Sequence, residues 1–246
     1  MRVGVLGATG TAGKAAVAEL RERGHEVLAL GRRKMDRHVD VVTGEGLGEA
    51  FAGLDAVVEC LNAKGTKPAV VRPVLIDGVR AALAAAAEAG VGHAVSLSIV
   101  GCDRVPMAYY GVKVEQEEVV RDAPLPTTIV RATQFPQLID FALGETKRLG
   151  IIPAPPLVFQ PVHPADVAIA LAEVVERGPG ADVAIAGPEV LELRAMAKAW
   201  RAARGSRRPV VPVPALGATL TAIAAGGLTD RDAARGARTW AQYLRG

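Results

Sequence analysis

The sequence is poor in the residues that staple, coordinate or stack. Its two cysteines, Cys60 and Cys102, cannot build a disulfide framework, and each sits at an apolar strand end that suits a small buried thiol. Its four histidines, at positions 25, 38, 93 and 163, show no ligand spacing, so no metal is expected and His163 is read as structural. Aromatic residues make up only 4% of the chain, and the basic residues are scattered rather than gathered in a tail or stripe. With a net charge of +3, that composition argues against a nucleic-acid reader while allowing an anionic ligand such as a nucleotide. Long apolar runs are missing too. The strongest, Ala215 to Gly227, falls short of the roughly 20 residues that cross a bilayer and is interrupted by Gly217, Gly226 and Gly227. Met1-Arg2 leads straight into a strand without a secretory pattern, so a cytoplasmic protein is expected. What is abundant is Ala, Val, Leu, Gly and Arg, which suits repeated strand and helix units, and 246 residues suffice for one α/β domain with a substantial core.

One stretch organises the rest. The apolar run Val3 to Leu6 is followed by Gly7-Ala8-Thr9-Gly10-Thr11-Ala12-Gly13 and then by a helical pattern from Lys14 to about Arg23. A strand, a glycine turn and a helix in that order make a dinucleotide cradle: Gly7 permits the tight turn, Gly10 lets the backbone approach a pyrophosphate, and Gly13 lets the helix pack closely on the sheet. Thr9, Thr11 and Ala12 complete the loop at a helix N-terminus whose N–H groups and dipole favour phosphate. The spacing, G-x-x-G-x-x-G, departs from the usual G-x-G-x-x-G, so context carries the signal. A second strand, Glu26 to Leu30, ends in Gly31-Arg32-Arg33-Lys34, and no acid occurs from Val27 through Met35. An acid there would accept from the ribose 2′-hydroxyl of NAD. An arginine instead pairs with the 2′-phosphate of NADP, so Arg32, with Arg33 behind it, makes NADP the expected cofactor over NAD.

Val39 to Val42 reads as a third strand, reached after about eight residues, too few for a crossover helix. Asp55 to Cys60 reads as a fourth, apolar throughout apart from Glu59, and ends in Leu61-Asn62-Ala63. Loops at the carboxyl ends of parallel strands line the ligand crevice, which makes Asn62 a candidate cofactor contact. A helix is expected from about Pro73 to Ala89, ended by Gly90, then a fifth strand at His93 to Ser98 and a sixth at Thr127 to Ala132. After the fifth strand comes Tyr109-Tyr110-Gly111-Val112-Lys113, opening a helix. Tyr109 and Lys113, four apart, share a helical face. Reducing a carbonyl needs a proton donor at the oxygen that becomes the alcohol. Tyrosine can supply it if an ammonium lowers its ordinary pKa of about 10. Lys113 provides that charge and a hold on the nicotinamide ribose, while a serine hydroxyl from the fifth strand polarises the same oxygen. Tyr110 also shares the face of Lys113, and Ser96 can take the place of Ser98, so both alternatives stay open.

Val5 to Gly13, together with a strand-end serine and Tyr-x-x-x-Lys on the helix after the fifth strand, resembles the atypical short-chain dehydrogenase/reductases, the NmrA-like and related NAD(P)H-binding proteins. The resemblance implies an α/β fold: a single Rossmann-type, doubly wound parallel sheet over residues 1–246, with 182–246 contributing a small substrate-side lobe. It implies a loose adenine contact at Gly44-Glu45-Gly46-Leu47. It also implies a nicotinamide-covering loop, Arg131-Ala132-Thr133-Gln134-Phe135, in which Gln134 and Phe135, with Tyr110, line the substrate pocket. Gln160 to Ala168 is similar to the family's return strand and next helix. Beyond it the resemblance implies a strand at Val183 to Ala186, a helix near Leu191 to Arg204, and a terminal amphipathic helix from Gly236 to Leu244. The segment Ala215 to Gly227 then caps the pocket, forms a subunit interface, or packs within the domain. The expected activity is NADP(H)-dependent reduction of a carbonyl or activated double bond in a small apolar substrate by Tyr109, Lys113 and Ser98. The alternatives are a non-catalytic NADP(H)-sensing regulator that signals to a partner protein, and an isomerase or lyase that consumes no net cofactor. No nucleic-acid or membrane partner is expected, and a homodimer is left open.

Overall fold

In the first strand, β1 (Arg2–Leu6), Val3, Gly4, Val5 and Leu6 are all buried, as befits a strand covered on both faces. The computed structural model describes residues 1–32 and 35–246. The chain divides into unit 1 (Met1–Ser98, Ala108–Arg131, Val167–Val183) and unit 2 (Ile99–Met107, Ala132–Asp166, Ala184–Gly246). Unit 1 holds β1, β2 (Glu26–Gly31), β3 (Arg37–His38), β4 (Ala56–Glu59), and all but the last residue of β5 (His93–Ile99) and β6 (Thr127–Ala132). Their order is β3-β2-β1-β4-β5-β6. β1 runs parallel to β2 and β4, β2 to β3, and β4 to β5. This is the order of a Rossmann-type doubly wound sheet, in which ligands sit beyond the carboxyl ends of the strands where the winding reverses, here between β1 and β4.

Helix α1 (Thr11–Glu22) buries Ala12, Gly13, Ala16 and Leu20, small residues near its start and a large one near its end. The short α2 (Leu47–Ala50) is held by Arg37, whose Nη1 donates to the carbonyls of Glu49, Ala50 and Ala52. Phe51, Leu54, Leu75 and Leu83 are buried with Leu6, Leu30 and Val57 in the core of this unit. Each large side chain so buried contributes about 1.5–3 kcal/mol of transfer free energy. Helix α5 (Ala108–Arg121) buries Tyr110, Val112, Lys113, Gln116, Glu117, Val119 and Val120, a face in which apolar and polar groups are mixed.

Two sequence expectations are corrected within unit 1. The third strand is Arg37–His38, not Val39 to Val42. The Asp40 carboxylate accepts the Val42 N–H at 2.9 Å and its carbonyl accepts Gly44 N–H at 2.9 Å, so a side-chain turn bends the chain where the strand was expected. The helix expected from Pro73 starts earlier, as α3 (Pro68–Arg72), and passes through a π-helical turn at Pro73–Gly78 into α4 (Val79–Glu88). Pro73 brings no N–H for the helical ladder and its ring crowds the preceding turn, which the wider π register accommodates. Gly78, at the end of that turn, has no room for a side chain, since a Cβ would lie 2.7 Å from Val41 Cγ2.

Unit 2 holds α6 (Pro136–Glu145), a 3₁₀ turn at Thr146–Leu149, β7 (Ile152–Ala154), β8 (Val158–Phe159) and the first residues of α7 (Pro164–Arg177). Then come β9 (Val183–Ala186), whose first residue belongs to unit 1, β10 (Leu191–Glu192), α8 (Leu193–Ala203), β11 (Val210–Pro212), α9 (Ala218–Ala224), β12 (Ala234–Arg235) and α10 (Trp240–Arg245). Ile139, Leu143, Ile152, Met196, Trp200, Trp240 and Leu244 form its core. The terminal helix is shorter than expected. The Asp166 carboxylate accepts the N–H groups of Ala237 and Arg238 at 3.1 and 3.0 Å, which keeps 236–238 out of the helix until Thr239 and Gln242 form a capping box. In the apolar 215–227 segment Ile223 is buried while Leu216 is 72% exposed. Among the described residues no helix is long and apolar enough to cross a membrane.

Candidate functional site

The glycine loop is built by contacts that no side chain could survive. Gly7 has φ of +76°, and a Cβ there would lie 2.5 Å from the Cys60 carbonyl oxygen, so the loop presses on the chain just after β4. The Gly10 N–H closes the turn on the Gly7 carbonyl at 2.9 Å. A Cβ on Gly13 would stand 2.2 Å from that same oxygen, which fixes how closely α1 approaches β1. Thr9, Gly10 and Thr11 are exposed at the tip, whereas Ala12 and Gly13 are buried. Gly10 caps α1 without a side-chain hydrogen bond, and no acid occupies the first turn. The first N–H groups of the helix precede its hydrogen-bond ladder, so they and the positive end of the dipole are available to an anion. An extended diphosphate fits such a cradle.

At the end of β2, the Arg32 side chain is 73% exposed, with Nη1 4.0 Å from Asp40 Oδ2. Arg33 lies outside the described residues. The first acid beyond the strand, Asp36, accepts the Ala29 N–H at 2.8 Å and Arg21 Nη2 at 3.3 Å, so it braces the strand alongside Ala29. Glu45, in the loop given a loose adenine role, lies 3.4 Å from His38 Nε2.

The residues after β4 and along α5 come together. Asn62 Oδ1 accepts the Tyr109 hydroxyl at 3.3 Å and the Ala63 N–H at 2.8 Å. Tyr109 is half-buried and Tyr110 buried, with ring centroids 5.9 Å apart. Lys113, 4% exposed, donates to the Leu97 carbonyl at 3.0 Å and to Gln116 Oε1 at 2.5 Å. Gln116 Nε2 in turn donates to Glu59 Oε2 at 3.0 Å. The Ser96 hydroxyl, from the position paired with Glu59 in the sheet, donates to the same oxygen. Burial pushes the Glu59 carboxyl above its ordinary range, while Lys113, Ser96, the Leu61 N–H and Gln116 pull it back. Sequence reading missed this role of Glu59, although its signal was visible as the one acid in an apolar strand.

Ser98 has a different partner. Its hydroxyl donates to Glu117 Oε1 at 2.6 Å, and that carboxylate also accepts Arg131 Nε at 2.8 Å and Arg121 Nη2 at 3.0 Å. Glu117 stands two turns beyond Tyr109, roughly 12 Å along the helix axis. The hydroxyl proton assigned to a substrate oxygen is therefore given to a carboxylate. Burial opposes the charge of Glu117, but the hydrogen bonds from Arg131 and Ser98 outweigh it and hold its pKa below the ordinary glutamate value. A depressed carboxylate contributes stability that is present above the unfolded value of about 4.3 and is lost as pH falls through the lower folded value. Glu117→Gln should accordingly melt well below the parent near neutral pH, and the gap should close below about pH 4. A gap unchanged in acid would show that Glu117 acts through packing rather than charge.

Of the three pocket candidates from the sequence, Tyr110 lies in unit 1, and Gln134 and Phe135 lie in unit 2. Gln134 is buried, with Nε2 donating to the Leu228 carbonyl at 2.8 Å and Oε1 accepting the Gln160 N–H at 3.2 Å, so both ends of its amide brace this unit. Phe135 is half-buried and caps α6. His163 Nδ1 accepts the Ala165 N–H at 3.2 Å, a local turn contact.

Comparison with known proteins adds a family, a relative and two solved structures. Residues 7–177 match a family model described as NAD(P)H-binding. An uncharacterised protein of Mycobacterium tuberculosis is 30% identical over 229 residues, which is 87% of this chain but 24% of that protein, so the chain spans about a quarter of the curated relative. Among solved structures, an NADPH-dependent quinone oxidoreductase of Escherichia coli in complex with NADPH superimposes with a TM-score of 0.80, 17% identity, and coverage of 99% of this chain and 98% of that one. A nucleoside-diphosphate-sugar epimerase of Staphylococcus aureus gives a TM-score of 0.77 at 19% identity, covering 100% of both chains. At these identities the likeness is one of fold.

Proposed function

The chain belongs to the NAD(P)H-binding family, and from that premise we propose that it is an NADP(H)-dependent oxidoreductase of the atypical short-chain dehydrogenase/reductase type. It reduces a carbonyl or activated double bond of a small, apolar substrate. The observation that carries the reading is the joining of Tyr109 to Asn62, with Lys113 one turn further along the same helix, in the unit that holds the glycine loop. Thr9, Gly10, Thr11, Ala12 and Gly13 hold the diphosphate, Arg32 takes the 2′-phosphate, and Asn62 with Lys113 holds the ribose next to the nicotinamide. The cofactor supplies the hydride. Tyr109 gives its hydroxyl proton to the reduced oxygen. The Lys113 ammonium makes that proton easier to release, and Asn62 aims the hydroxyl. The half-buried setting of Tyr109 supports it over the buried Tyr110. One observation favours a second reading, a cofactor-responsive regulator without turnover: the Ser98 proton is committed to Glu117.

Fluorescence titration with NADPH and NADH, followed by NADPH oxidation against quinones, ketones and aldehydes, separates the two. The Arg32→Ala variant should bind NADPH about tenfold more weakly, the loss of one exposed charge-assisted contact of about 1.4 kcal/mol, and NADH as before. Absence of NADPH binding would overturn the reading at the glycine loop. Tight binding with no oxidation across the panel would favour the regulator.

A further inference from the structure

The interior of unit 1 contains a polar chain that the chemistry above leaves unused. Glu59 is fully buried and Gln116 is 1% exposed, yet they connect to the Lys113 ammonium in sequence: ammonium to amide oxygen, amide nitrogen to carboxylate. Three donors converge on the two oxygens of Glu59, from the Leu61 backbone at 2.7 Å, from Gln116 at 3.0 Å and from Ser96. Two of these are N–H groups that can only donate, so both oxygens of the carboxyl serve as acceptors. The Gln116 amide agrees, since turning it over would set its NH₂ against the ammonium and its oxygen against the carboxylate. Cys60, also on the β4 side, is kept a neutral thiol by burial, Ser96 and the Leu97 carbonyl come from β5, and Tyr109 lies one turn away on α5. The carboxyl that the Lys113 ammonium reaches through Gln116 is that of Glu59, which burial raises and the charge of Lys113 lowers.

Stability does not require this arrangement. Apolar residues of equal volume are often as stabilising as a buried pair of charges. Placement gives the better account. Tyr109, Lys113 and Gln116 are spaced i, i+4 and i+7, one stripe of the helix. The β4 side meets that stripe at two levels, Glu59 with Gln116 in the interior and Asn62 with Tyr109 nearer the surface. We propose that Glu59 is the positioning residue of the Tyr109–Lys113 site, acting through the Gln116 amide to keep the Lys113 ammonium charged and directed along the stripe. The activity arm of this proposal rests on the reductase reading; the charge arm does not.

The test exchanges the two atoms that differ between the side chains. Glu59→Gln removes the counter-charge, and Glu59→Gln with Gln116→Glu restores it one position along, against Lys113 itself, at unchanged volume. Lysine ¹³Cε NMR reads the charge of Lys113 directly among the seven lysines, its signal identified by its loss in Lys113→Met. In Glu59→Gln the Lys113 signal should show a neutral amine near neutral pH, and in the exchanged pair a charged one. Turnover should fall about 100-fold in kcat with little change in KM in Glu59→Gln, and return to within about tenfold in the exchanged pair. A Lys113 signal indifferent to Glu59→Gln, or an exchanged pair no better than the single variant, would overturn the proposal. If the parent turns nothing over, the reductase reading fails while the NMR arm still decides the pairing. If Glu59→Gln does not fold, Gln116→Met breaks the same connection, and a charged Lys113 signal unchanged in that variant would equally refute it.

Discussion

The Tyr109→Phe variant is expected to lose about 1,000-fold in kcat, within the range that general acid catalysis supplies, with NADPH affinity close to that of the parent. Both halves follow from position. The phenol oxygen meets Asn62 at the end of a 3.3 Å hydrogen bond on the exposed side of the site, so its removal leaves the glycine loop and Arg32 untouched. The ring keeps its packing against the buried core of unit 1 and its place beside Tyr110. A group needed only when the proton moves lowers kcat and kcat/KM together, and a group needed for binding raises KM. Tyr110→Phe serves as the control, and its turnover should remain within about threefold of the parent, since a buried hydroxyl outside the reaction contributes binding geometry alone. Stopped-flow oxidation of NADPH in the three proteins measures the difference. Equal losses in Tyr109→Phe and Tyr110→Phe would assign the role to neither, and a large loss in Tyr110→Phe alone would exchange them.

Gly13→Ala should be a strongly damaging one-carbon change at the candidate site. The added Cβ would sit 2.2 Å from the Gly7 oxygen, 2.7 Å from its carbonyl carbon and 2.9 Å from Ala8 Cα, all backbone atoms of the turn. No rotamer relieves such a contact, so α1 must move away from β1 or the turn must open. We expect a loss of about 3 kcal/mol in urea unfolding, the upper part of the range for overpacking, and at least about a 100-fold loss of NADPH affinity, as about 2.7 kcal/mol of loop geometry is given up. Gly111→Ala, between Tyr109 and Lys113, has open space and a helical backbone, and should instead gain about 0.5–1 kcal/mol. A Gly13→Ala protein with the parent's urea midpoint and affinity would remove the glycine loop from the site.

These expectations separate what the sequence discloses from what it conceals. The cradle is legible because its requirements are local: a strand, three glycines and a helix lie within about twenty residues of each other. The relation of Tyr109 to Lys113 is local as well, a matter of helical spacing. Partners distant in the chain are not legible. Ser98 meets Glu117 and Glu117 meets Arg131 because β5, α5 and β6 pack together, and nothing near Ser98 in sequence announces it. The tail from Gly236 reads as helix until Asp166, 71 residues before Ala237, takes two of its N–H groups. The turn at Val42 hides for another reason, since Val41 and Val42 carry strand propensity and one carboxylate overrides them. Glu59 stood in plain view as an exception within its strand, but only the three-dimensional neighbour Gln116 gives the exception a meaning.

Gly10, at the head of α1, carries no side chain to close the helix end. A serine or threonine there would add only a few tenths of a kcal/mol, whereas a dinucleotide held at 100 times its dissociation constant adds about 2.7 kcal/mol by mass action. The bare cap thus hands part of this protein's upkeep to its surroundings: how long a copy survives proteolysis in a cell becomes a function of how much nicotinamide dinucleotide that cell keeps. Starvation that drains the pool would thin the protein's population before it slowed any single molecule.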